Sequence, residues 1–377
     1  MKILSLQENL KQGLFNVGHV ASKNINLPIL NNVLLNTMTG NIKMIATNLE
    51  IGITSLVRGK IEKEGSFTID SKIFSDCVSL LPNKKVSLEQ KDNNLIINCD
   101  NYQAKIRGLP AEDYPLIPTV EKKYFFSTST EEFKQAVAQV IFAVAVSESR
   151  LELSGTLFSF ANGILTLAAT DSYRLAERKI NIKTNINKEE TKKIIVPART
   201  LQELMRILSG GLGGEIAEEN KEIKFYLSDN QILFTYGSTE LVSRLIDGQY
   251  PDYEQIIPTV SKTKIMVDKA ELIRAVKMAS LFSKTGINDI NLDFPAGKNQ
   301  VVISAVSGQS GENITNLPAK VQGVDNSIVV NYRYLLDGLN NITGDMVKME
   351  IIDGNTPCLL KPEKSDDYLY IIMPIKQ

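Results

Sequence analysis

The chain has little of what metal sites, disulfide frameworks and acid–base catalysis are built from. Its 377 residues include three cysteines and one histidine. Cys77, Cys99 and Cys358 stand far apart without a CxxC pairing, and His19 is alone. Neither a zinc cluster nor a disulfide framework is expected, and a reducing compartment fits. The sequence has no GxxxxGK[ST], GxSxG or HExxH motif, and one histidine cannot fill several catalytic roles. The longest apolar run, Ala136 to Val146, is broken by Gln139 and is too short to span a bilayer. The opening MKILSLQENLKQ breaks at Gln7 and Glu8, so it does not read as a secretory segment. A cytosolic protein is expected. The formal net charge of -1 neither favours nor excludes nucleic acid, because the placement of charge decides that.

What the chain does contain is repetition. GLPAEDYPLIPTVEKK (Gly108 to Lys123) and LIDGQYPDYEQIIPTV (Leu245 to Val260) share Tyr-Pro followed by Ile-Pro-Thr-Val. Paired prolines fix φ and remove backbone donors, so both stretches read as stiff, non-helical connectors. They divide the chain into thirds, 1–123, 124–260 and 261–377. Each third opens with an amphipathic helix: Ser5 to Val17, Thr128 to Val140 and Val267 to Ala279. Capping boxes are expected at Ser5 with Glu8, Thr128 with Glu131 and Asp268 with Glu271. A second helix recurs later in each third, at Ile69 to Leu81, Val196 to Leu208 and Val330 to Ile342. Runs of period two, such as Lys43 to Ile53, Gly163 to Ala169, Gln300 to Ser307 and Met346 to Ile352, read as strands. The pattern predicts an α+β protein of three similar domains, each with two amphipathic helices packed on antiparallel sheets.

Candidates for chemistry are few. Gly210 to Gly214 follows a helix instead of preceding one and leads into acidic residues, so it reads as a loop between elements and not as a phosphate cradle. Asp171, Asp247 and Asp252 read as turn formers. Their alternative is a metal-dependent enzyme acting on nucleic acid or sugar. A second alternative is a β-rich scaffold that binds peptides and no DNA.

LTLAATDSYRLAERKI (Leu165 to Ile180) resembles the strand-turn-strand signature of the bacterial DNA polymerase III beta subunit, the sliding clamp. LPILNNVLL, ATNLEIGI, LPAEDYP, IVPARTLQELMRIL, LIDGQYPDY and the terminal IIMPIKQ follow in the family's order, so the resemblance covers the whole chain. It implies a non-catalytic processivity factor: a head-to-tail homodimer, closed as a ring around double-stranded DNA. It also implies as partners the polymerase catalytic subunit, the clamp loader, and other polymerases and repair proteins. No cofactor, metal or membrane is implied, and the setting is the cytoplasm, at the nucleoid and replisome.

Given the resemblance, basic residues on and beside the helices become candidates for loose phosphate contact, and Lys23, Lys72, Lys134, Arg150, Arg199, Arg206 and Arg333 are expected at the DNA backbone. A partner-peptide pocket is implied at Leu153, Thr170, Leu175, Pro251, Ile256, Tyr334, Pro357, Met373, Pro374 and Ile375. The dimer interface is implied at Ala104 and Ile106 of one subunit against Leu281 and Phe282 of the other. Two features depart from the family pattern: the MPIKQ ending, and Asn355 with Pro357 where small or β-branched residues are usual.

Overall fold

The computed structural model describes residues 1–21, 27–146, 149–185, 191–210, 221–284 and 286–376. Among them are six α-helices: α1 Gln7–Gly18, α2 Ser71–Leu80, α3 Thr130–Ile141, α4 Ala198–Ser209, α5 Lys269–Ser280 and α6 Tyr332–Asn341. The apolar positions at helical spacing are buried, including Leu10, Leu14 and Val17 on α1, Phe133, Val137 and Val140 on α3, and Leu272, Val276 and Ala279 on α5. Each large side chain among them contributes about 2 kcal/mol by leaving water. None of the helices described is long and apolar enough to cross a membrane.

The expected cap forms at the third repeat's opening helix and not at the first's. Asp268 accepts the Glu271 N–H at 2.8 Å. In the second repeat the Glu132 N–H reaches Ser129 Oγ at 3.5 Å. In the first repeat α1 starts after Leu6 without a side-chain cap. The Ser5 hydroxyl is engaged elsewhere, donating to the Arg58 carbonyl at 2.6 Å.

The chain divides into two compact units, Met1–Lys134 with Ile182–Glu190 and Arg199–Ile246, and Gln135–Asn181 with Thr191–Ala198 and Asp247–Gln377. The first holds an antiparallel sheet of 14 strands and the second one of 12. The middle third of the sequence supplies strands to both sheets. In the first sheet Thr239–Arg244 pairs with Ile51–Val57, joining the second repeat to the first. In the second sheet Tyr368–Ile372 pairs with Arg174–Asn181, joining the third repeat to the second. Equivalent residues meet at the two joints: Val242 lies opposite Gly52, and Ile371 opposite Leu175.

The repeat extends to single hydrogen bonds. Lys43 to Ile53 is not one strand but two, Ile42–Thr47 and Ile51–Val57, split by a turn. In that turn Thr47 Oγ1 donates to the Ile51 carbonyl at 2.9 Å, and Asn48 Oδ1 accepts the N–H groups of Glu50 and Ile51. In the second repeat Thr170 Oγ1 donates to the Arg174 carbonyl at 2.6 Å, and Asp171 Oδ1 accepts the N–H groups of Tyr173 and Arg174. The residue at the corner, Leu49 or Ser172, has φ 77° in both. The repeated Tyr-Pro also has a structural role. The Tyr114 hydroxyl, which donates to the Asn32 carbonyl at 3.1 Å, lies 3.4 Å from the Ile45 carbonyl, and that of Tyr250 donates to the equivalent Ala168 carbonyl at 3.4 Å. Each connector is therefore pinned under its own repeat's turn.

Candidate functional site

The second repeat's turn forms one wall of a cleft of 670 Å³ in the second unit. Ser172 and Tyr173 line that wall, Tyr334 comes from the first turn of α6, and Met373, Pro374 and Ile375 follow the last strand. The terminal segment is held by backbone. Met373 donates to the Tyr173 carbonyl at 2.9 Å and Ile375 to the Val329 carbonyl at 2.8 Å. Pro357 completes the apolar surface, while Asn331, Asn355 and Lys376 supply polar groups. An apolar cleft with a few convergent polar groups suits a short apolar peptide.

Five of the ten residues expected at a peptide pocket, Tyr334, Pro357, Met373, Pro374 and Ile375, line this cleft. The others lie outside its lining. Thr170 and Leu175 are buried and face each other across adjacent strands. Leu153 is buried in the 3-10 turn Leu151–Leu153. Pro251 and Ile256 are half-buried on the connector.

The residue that organises the cleft is Arg174, which the motif comparison passed over. Its side chain is 12% exposed. Nε donates to Asp171 Oδ2 at 2.9 Å, Nη1 to Asp337 Oδ2 at 2.5 Å and Nη2 to the Phe142 carbonyl at 2.9 Å. The guanidinium lies 4.6 Å from the Tyr334 ring centre, and Tyr173 stacks on Tyr334 at 6.4 Å. Burial works against the charge, but the Asp337 and Asp171 carboxylates outweigh it and hold the guanidinium's pKa above its ordinary value. Tyr370 in turn donates to the Tyr334 carbonyl at 2.8 Å, and burial raises its phenol pKa, keeping it a donor. The sequence did carry a signal. An arginine beginning an apolar strand three residues after an aspartate is the pattern of an ion pair folded back under a turn.

Comparison with known proteins matches three family models in succession. They are the DNA polymerase III beta subunit N-terminal domain over residues 1–118, its central domain over 127–252 and its C-terminal domain over 254–376. The chain belongs to the DNA polymerase III beta subunit family. It is 29% identical over 360 residues to the beta sliding clamp of Staphylococcus aureus strain Mu50 and 28% identical over 360 residues to that of Staphylococcus epidermidis. Each match spans 93% of this chain and 92% of the relative. The DNA polymerase sliding clamp from Bacillus subtilis superimposes with a TM-score of 0.92 at 26% identity, covering 100% of this chain and 99% of that one. The DNA polymerase III subunit beta from Pseudomonas aeruginosa gives a TM-score of 0.92 at 25% identity, covering 100% of both chains. Members of this family are sliding clamps, and the chain is a processivity factor, a non-catalytic subunit of a replicative polymerase.

The expected DNA-facing residues fall into distinct groups. Lys72, Arg199 and Arg333 are exposed, and each is the second residue of its repeat's second helix. Arg150 is exposed, and Lys134 is half-buried 3.2 Å from Glu131. Arg206 faces protein: its fork donates to the Phe15 and Asn16 carbonyls at 2.6 and 2.9 Å and to Glu203 Oε2 at 3.1 Å. Glu203 also meets His19 Nδ1 at 2.5 Å. Lys23 lies outside the described residues, as do Gly211 to Gly214 of the glycine-rich stretch. Among the described residues no three or more His, Cys, Asp or Glu side chains gather as a metal site. Asp171 serves its turn, and Asp252 accepts from Gln255 at 2.7 Å.

Proposed function

We propose that the chain closes head to tail with a second copy into a ring that encircles duplex DNA and slides without reading sequence. The observation that carries the ring is a joint left unmade. Where the first repeat offers Ile51–Val57 and the second Arg174–Asn181 to the next repeat's last strand, the third offers Gly311–Gly323. Among the described residues, that strand pairs from Gly311 to Pro318 on one side only, with Gln300–Ser307. The last strand of the first repeat, Tyr102–Leu109, likewise pairs among the described residues only with Asn94–Cys99 over Tyr102 to Arg107. Unpaired edges of this kind are templates for another chain. Joining the third repeat of one copy to the first of the next reproduces the other two joints, and doing so twice closes a ring.

Ala104 and Ile106 lie on the first repeat's open edge. The Phe282 ring lies beside Gly311 at the start of the third repeat's open edge, and Leu281 next to it is 68% exposed. Replacing Leu281 and Phe282 together by alanine is expected to raise the dimer dissociation constant about 100-fold or more, since apolar anchors at an interface centre each contribute a few kcal/mol. Sedimentation at decreasing concentration measures this. A wild-type chain that is monomeric throughout would end the ring reading.

The cleft is the tether for the polymerase catalytic subunit, the clamp loader, and other polymerases and repair proteins, through short apolar-aromatic segments. Met373→Ala is expected to weaken such a peptide about tenfold, as truncation of a half-buried anchor does. Unchanged affinity in a labelled-peptide titration would remove the cleft from this role. Leu175→Ala is the poorer test, because Leu175 is core. The repeats are domains spanning 1–123, 124–260 and 261–377, and the protein works in the cytoplasm at the nucleoid. Lys72, Lys134, Arg199 and Arg333 face the DNA backbone, whereas the Arg150 fork is engaged by Ser172 and Glu152.

A further inference from the structure

The first and second repeats build the same two features with different side chains. A 3-10 turn precedes the first strand after the opening helix, Pro28–Asn31 in one and Leu151–Leu153 in the other. The residue before it is Leu27, at φ -132° and ψ 78°, or Arg150, at φ -131° and ψ 76°. The corner of the Thr-Asx turn is Leu49 or Ser172, both at φ 77°. Two leucines in the first repeat thus correspond to an arginine and a serine in the second. There Arg150 Nη1 donates to Ser172 Oγ at 3.0 Å, while Nε donates to Glu152 Oε1 at 3.1 Å.

This bond is not what folds the turn. The first repeat reaches the same backbone conformation with leucines, whose side chains form no hydrogen bonds, through the same Thr and Asx contacts. What differs is what the turn does next, because Ser172 and Tyr173 line the cleft. Ser172 also holds a left-handed conformation that side chains resist, so a bond to its hydroxyl restrains a position prone to relax. Glu152 fixes the guanidinium in turn. Its own backbone N–H and Arg150 together hold its carboxyl below the ordinary carboxylate range.

We propose that Arg150 is a positioning residue of the cleft, holding the Ser172–Tyr173 wall through the Ser172 hydroxyl in the conformation that receives a peptide. This rests on the reading of the cleft as a peptide site. The test is anisotropy titration of a fluorescently labelled Leu- and Phe-containing peptide against the full-length protein. Arg150→Ala and Ser172→Ala are each expected to weaken binding about five- to tenfold, the loss of one charge-assisted hydrogen bond. The double variant should bind no worse than either single, since both remove the same bond. Arg150→Gln, which keeps one donor, should recover part of the loss. Arg150→Leu with Ser172→Leu, the first repeat's own pair, should melt at the wild-type temperature and still lose the same factor. Single variants within twofold of wild type, or losses that multiply in the double, would overturn the proposal. A wild-type protein that ignores the peptide overturns the cleft reading itself, and the inference with it.

Discussion

Arg174→Ala is expected to lower stability by about 3 kcal/mol, because removing one partner of a buried ion pair strands the other. Asp171, whose side chain is 14% exposed, keeps its turn bonds but loses its counter-ion. The Phe142 carbonyl loses its donor, and the Tyr334 ring loses the cation stacked on it. Arg174→Lys should recover little of this, since an ammonium cannot serve three acceptors in a planar fork or stack on a ring. Asp337→Asn should lose less than 1 kcal/mol, because Asp337 is nearly half exposed and the pair is screened there. Urea denaturation of the three variants gives the ranking. A midpoint for Arg174→Ala equal to that of Asp337→Asn would show that the fork adds nothing beyond one exposed ion pair. Peptide binding should follow the same order, because the cleft wall is built on these contacts.

The sequence revealed the repeat because repetition is carried by residues that make the same local bond each time, such as Thr with Asn or Asp in the turn and tyrosine before proline in the connector. The six helices were legible for a similar reason: their apolar stripes are periodic whatever they pack against. Tertiary competition was not legible. Ser5 reads as a cap, but its hydroxyl is taken by the Arg58 carbonyl, and Arg206 reads as a free basic residue although its fork binds two carbonyls of α1. Nor does alternation along a strand say which edge it pairs, so the joints between repeats, and the one left open, emerge only from the register. The cleft was half legible. Tyr334, Pro357, Met373, Pro374 and Ile375 follow from motif order, whereas Arg174 shows only as an arginine three residues after an aspartate, and Arg150, which acts on the cleft through Ser172, leaves no pattern of its own.

Neutralising Lys72, Arg199 and Arg333 together should have opposite effects on stability and on DNA binding. A positive charge in the first turn of a helix opposes the macrodipole, and each such cation destabilises its helix by about 0.3–1 kcal/mol. The same unfavourable placement recurs in α2, α4 and α6, and in the proposed ring around DNA a phosphate at each helix start would offset it. The triple alanine variant should melt slightly higher than wild type. Its DNA affinity should fall less steeply with salt. Each phosphate contact contributes about 0.9 to the slope of log K against log salt, so six charges per dimer reduce it by up to about 5. Loss should be uniform across DNA sequences, because backbone contacts carry no base readout. An unchanged salt slope with raised stability would make the three residues ordinary surface charges. A reduced slope with raised stability would mean that helix stability is given up at these positions in return for contact with the DNA backbone.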